Sequence, residues 1–118
     1  MIQINPSFSE DRLPASKPRY EPGQIVRHKR YGYRGVIVAA DSSCQADPAW
    51  YMANKTQPDR AQAWYHVLVD GTASSTYPAE ENLILDSDPS PIRHPWLEKF
   101  FQAFEQGRYI RNDAVWPA

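Results

Sequence analysis

VRHKRYGYRGVIV, residues 26–38, decides how the rest of the chain is read. Two aliphatic runs, Ile25-Val26 and Val36-Ile37-Val38, flank a centre that carries Gly32 and Gly35. Period-2 alternation in the first run puts Val26 and His28 on one face and Ile25, Arg27 and Lys29 on the other, the pattern of a strand. Tyr31-Gly32-Tyr33-Arg34-Gly35 supplies the turn, because glycine accepts the positive φ that a tight connection needs. VIVAA, 36–40, is a short β-branched return strand. The stretch predicts a β-hairpin with Arg27, Lys29, Arg30 and Arg34 on its outer face and tip, interleaved with Tyr31 and Tyr33.

Outward from the hairpin, Pro22-Gly23 is the turn that launches it. Residues 1–21 are polar, broken by prolines, and read as a flexible arm. Residues 41–61 show no clean period. Trp50, Tyr51 and Met52 punctuate this loop, and loops so long are commonly functional. AWYHVLVDG, 63–71, is the strongest strand and ends in an Asp70-Gly71 hairpin signal. SSTYPAEENLIL, 74–85, returns, with Pro78 at an edge or an end. DSDPSPIRHP, 86–95, links to a helix that Pro95 opens and Gly107 closes. Trp96, Leu97, Phe100, Phe101 and Phe104 recur there at helical spacing.

The expected architecture is mainly β, a small SH3-like partly open barrel with a C-terminal α-helix. Its strands fall near 24–30, 35–40, 63–70 and 75–78 and its helix near 95–106, packed through Leu97, Phe100, Phe101 and Phe104. The expected organisation is an N-terminal arm over 1–21, the barrel over 22–86, and linker, helix and tail over 87–118.

Bulk composition narrows the function classes. A chain of 118 residues has room for one modest core, and 11 prolines argue against a helical bundle. A single cysteine, Cys44, excludes an intramolecular disulfide. MIQINPSFSEDR lacks the basic and apolar regions of a signal peptide, and no apolar run approaches the roughly 18 residues of a membrane span, so a cytoplasmic protein without membrane contact is expected. The net charge of -1 hides an asymmetry: residues 12–34 hold seven cations against one anion, residues 41–88 eight anions against two cations. Either one face favours polyanions, or folding interleaves the two segments and cancels them.

GQIVRHKRYGYRGVI (23–37), WYHVLVDG (64–71) and TYPAEENL (76–83), taken together, resemble the hemimethylated-DNA-binding family, also called YccV-like or heat-shock protein Q-like. The likeness covers roughly residues 20–85, and IRHPWLEKFFQAFEQGRYIRND is similar to the extension of the F-box-type and stand-alone relatives. The resemblance implies a non-enzymatic SH3-like barrel without cofactor. It implies two roles: binding hemimethylated DNA, and assisting degradation as a partner of a protease or a ubiquitin-ligase component.

The candidate sites follow these two roles. For DNA, Arg27, Lys29, Arg30 and Arg34 would track phosphates while Tyr31 and Tyr33 stack or wedge at bases. The plainer reading is an edge strand charged to prevent aggregation, and a pI of about 6.3 is low for a DNA-binding domain. For a partner or substrate protein, Trp50, Tyr51 and Trp116 are the aromatic anchors, and the alternative to core packing of the C-terminal stripe is that Trp96, Phe100 and Phe104 face a partner or a second copy of the chain. His28, His66 and Tyr65 read as structural. No histidine or cysteine spacing matches a metal site, so no metal is expected. Cys44, the serine pairs and Glu80-Glu81 lack the partners that catalysis needs. DNA binding through the basic hairpin leads, with a proteolysis adaptor as the alternative.

Overall fold

In the computed structural model, residues 17–54 and 57–117 are described. The strands are β1 (Ile25–His28), β2 (Arg34–Asp41), β3 (Trp64–Val69), β4 (Ser75–Thr76) and β5 (Leu83–Leu85), with a short helix α1 (Pro48–Ala53) between β2 and β3. A 3-10 turn over Glu80–Asn82 leads into β5. After the linker come a single helical turn α2 (Leu97–Phe100) and a hairpin of β6 (Phe101–Glu105) and β7 (Arg108–Arg111).

The first five strands make one antiparallel sheet in the order β4-β3-β2-β1-β5. The opening hairpin pairs Ile25 with Val36 and Arg27 with Arg34, as its alternation requires. The mainly-β expectation holds. The ladder is open, with β4 and β5 at its two edges, so closure into a barrel does not appear among the described residues.

Both faces of this sheet are buried, which is why its strands carry unbroken apolar runs. Ile25, Val36, Val38 and Leu68 point to one side, where Ile92, Phe100, Phe101 and Tyr109 cover them. Val26, Ile37, Tyr65, Val67 and Leu83 point to the other, with Tyr20 and Ala63. Most of the expected arm lies outside the described residues. Tyr20, near its end, is buried: its hydroxyl donates to Leu83 O at 3.2 Å and its N–H to the Tyr65 hydroxyl at 3.1 Å.

The expected helix over 95–106 is corrected. Only Leu97–Phe100 is helical, and the chain then turns back as a β-hairpin. Gln106 and Gly107 both take positive φ, 54° and 77°, the signature of a two-residue type I′ turn, so Gly107 belongs to a hairpin and caps no helix. A register shift between Phe101 and Ala103 inserts one residue into β6. That bulge brings Phe101 and Phe104 onto one face, where both pack on Tyr109 at 5.3 and 4.6 Å. Of the residues expected to pack on the sheet, Phe100 and Phe101 are buried and Leu97 and Phe104 half-buried against the same cluster, from a different backbone. Gly23 docks the hairpin: its carbonyl accepts from Tyr109 N at 2.9 Å, its φ is +97°, and any Cβ would collide with Tyr109 O.

Candidate functional site

At the tip of the first hairpin the sequence builds a locked imidazole. His28 is buried, and its Nδ1 accepts from the N–H groups of Arg30 and Tyr31, each at 3.1 Å. Its ring proton therefore sits on Nε2. Burial first, and the Arg30 charge second, push its pKa below 6.5, so the ring is neutral at pH 7. Tyr31 and Tyr33 stack on it at 4.7 and 5.2 Å. Tyr33 is anchored through its hydroxyl to Thr76 Oγ1 at 2.7 Å, while Tyr31 is 57% exposed with the Arg30 guanidinium over its ring.

The four hairpin cations do not act alike. Arg34 is an internal hub. Its Nε donates to Asp86 at 2.6 Å, Nη1 to Asp70 and Pro91 O, and Nη2 to the carbonyls of Asp88 and Ser90. Arg27 donates to the other Asp86 oxygen at 3.2 Å and to Gly32 O. Burial alone would raise the Asp86 pKa, but hydrogen bonds from Arg34 and Arg27 outweigh it and hold the carboxyl below 3.8. Folding thus interleaves the basic and acidic segments. Lys29 and Arg30 are exposed and pair with no carboxylate among the described residues.

A cleft of about 980 Å³ opens beside the hairpin. It is lined by His28, Tyr31 and Tyr33 from the hairpin, by Trp64 of β3 and Tyr77 just after β4, and by Trp50 and Tyr51 of α1. Asp47 caps α1 by accepting from Ala49 N at 2.8 Å, and this helical turn presents Trp50, 41% exposed, to Trp64 and Tyr77 at ring distances of 6.3 and 5.9 Å. Tyr51 is pinned by its hydroxyl to the carbonyls of Gln57 and Pro58, with Arg60 against its ring. His66 stacks on Tyr77 at 4.4 Å, and both hold one oxygen of Asp41: Tyr77 donates to Oδ2 at 2.6 Å and His66 Nε2 lies 3.2 Å from it. Burial lowers the His66 pKa despite Asp41, so this ring too is neutral at pH 7. Asp41 and Asp47 are the charged residues on the cleft walls; no lysine or arginine lines it among the described residues.

The structure therefore joins the hairpin tyrosines and the loop aromatics, two rival groups in the sequence, in one cleft. Trp116 stands apart, packed on His66, Trp96 and Phe100. Tyr65 is fully buried in the core and donates to Glu80 at 2.6 Å, whereas Glu81 turns away to Gln62. Cys44 is buried against Trp64 and Ala79. No three His, Cys, Asp or Glu side chains converge to hold a metal ion among the described residues, and no helix there is long and apolar enough to cross a membrane. Trp64, Tyr77, Asp41 and Asp47 escaped sequence reasoning as site residues. Their one linear signal is the aromatic density of 50–51, 64–65 and 77, which equally suits a core.

A family model described as "Hemimethylated DNA-binding protein YccV like" matches residues 18–108. F-box only protein 21 of Homo sapiens is 35% identical over 96 residues, covering 79% of this chain and 15% of that protein. The same protein of Pongo abelii is also 35% identical and that of Mus musculus 34%, with the same coverage. The chain thus spans about 15% of the length of these curated relatives.

Proposed function

This chain belongs to the YccV-like family, and on that premise we propose that it is a non-catalytic recognition domain whose aromatic cleft holds an extended segment of another protein. The observation that carries this reading is the cleft itself. Trp50, Trp64, Tyr77 and Tyr31 converge in a space the size of a ligand pocket. Exposed aromatics around such a space are the usual anchors of a protein interface. A DNA backbone finds no cation inside it. The F-box relatives fit a role in selecting proteins for degradation, as adaptor to a protease or ubiquitin ligase. Tagged protein, nuclease-treated, is used to capture partners from lysate. Capture should disappear in Trp50→Ala and persist in Lys29→Glu/Arg30→Glu. Capture abolished by nuclease, or unchanged in Trp50→Ala, would overturn it.

DNA binding is the second reading, favoured by the family's description and by Lys29, Arg30 and Tyr31 lying together at the hairpin tip. Two phosphate contacts in place of the four counted from sequence give a salt slope of roughly −1.8. Fluorescence anisotropy on a hemimethylated duplex and its unmethylated twin at two salt concentrations tests this. A methylation reader prefers the first duplex at equal salt, and loses both when Lys29 and Arg30 become glutamate.

A further inference from the structure

Resting on the reading of the cleft as a holder of protein segments, we propose that its occupant is anchored by a basic side chain, lysine or arginine, laid over Trp50 and met by Asp41 and Asp47. The charge pattern of the walls selects the sign: two carboxylates and no cation line the cleft among the described residues. Each carboxylate has one oxygen fixed by the fold. Asp41 uses Oδ2 for both Tyr77 and His66, and Asp47 uses Oδ1 for the N–H of Ala49. Asp41 Oδ1 and Asp47 Oδ2 have no hydrogen-bond partner among the described residues, so each acid is held in place with an acceptor to offer. His66 is neutral at pH 7 and leaves the charge of Asp41 standing.

Asp47, the N-cap of α1, and Trp50, in its first turn, both line the cleft. A cation with an aliphatic stem suits both at once, the stem along the ring and the head at the carboxylates.

The test pans a randomised hexapeptide phage library on the wild-type protein and on Trp50→Ala, then measures synthetic copies of the enriched peptides by fluorescence anisotropy. Enrichment of lysine or arginine at one position is expected on the wild type alone. Replacing that residue by glutamine should weaken binding at least tenfold, and by glutamate further. Asp47→Asn keeps a side-chain oxygen for the cap, so it removes charge without removing the helix start. It should erase most of the preference, and Asp41→Asn, with its fold verified by near-UV circular dichroism, the remainder. Enriched peptides without a basic residue, still dependent on Trp50, would overturn the basic anchor and leave the segment-holding cleft intact. Enrichment no greater on wild type than on Trp50→Ala would overturn both.

Discussion

Replacing Arg34 by glutamine should destabilise the domain by about 3 kcal/mol, although sequence alone makes it one of four equivalent surface cations. Its side chain is 11% exposed and that of Asp86 3%, so little of their ion pair meets water although both residues are half-buried. Removing one partner of a buried pair costs about 3–5 kcal/mol, because the other charge is left without its counter-ion. The lower end applies here: Asp86 keeps Arg27 Nε at 3.2 Å, and Asp70 keeps the N–H of Arg93 at 2.8 Å. Lysine cannot substitute, since three guanidinium nitrogens serve five acceptors on Asp70, Asp86 and the 88–91 backbone. In a domain of this size a 3 kcal/mol loss lowers the melting temperature by at least about 12 °C. Urea unfolding and thermal melts of Arg34→Gln, Lys29→Gln and Arg30→Gln read the contrast, the last two staying within about 0.5 kcal/mol of wild type. The Asp86 carboxyl titrates lower in the folded protein than in the unfolded chain. Its contribution is therefore present above pH 3.8 and lost as pH falls through the folded value, and Arg34→Gln should flatten that acid dependence. An Arg34→Gln stability within about 0.5 kcal/mol of wild type would refute the hub.

The two histidines set a second pH dependence. Both titrate lower folded than unfolded, so protonation favours the unfolded chain and the melting temperature should drop as pH falls below 6.5, less steeply in His28→Asn, whose side-chain oxygen replaces Nδ1 as acceptor. Phe100 is fully buried between the sheet and the terminal hairpin, and Phe100→Ala should cost about 3–5 kcal/mol in urea unfolding. Gln106→Asn should raise the melting temperature, because asparagine tolerates the left-handed conformation of the first I′ position better than glutamine. In a helix the same change would lower it.

The elements that local pattern specifies were readable. Val26 and His28 alternate with Ile25 and Arg27, Gly32 takes the positive φ of the turn while Gly35 falls inside β2 opposite Val26, and the two strands pair as that pattern demands. The terminal hairpin was not readable, because the bulge at Gln102 gives a strand the i, i+3 aromatic spacing of a helix. Arg34 looked free because its partners lie 36 and 52 residues away, and charge in a sequence carries no record of what it will meet. The cleft was visible only as disconnected pieces. Tyr31, Trp50, Trp64 and Tyr77 belong to four separate segments, and the pairing of the sheet together with the packing of α1 on Trp64 and Tyr77 brings them together.

The four tryptophans offer the most direct test of the cleft as the recognition site, since each indole N–H gives its own cross-peak in a proton–nitrogen correlation spectrum. Peptides enriched by panning and a hemimethylated duplex are titrated separately into labelled protein. The peptides should move the Trp50 and Trp64 indoles and leave Trp96, outside the cleft, in place. Peptide-induced shifts confined to Trp96 and Trp116, or a duplex that moves Trp50 and Trp64 while the peptides move neither, would contradict it.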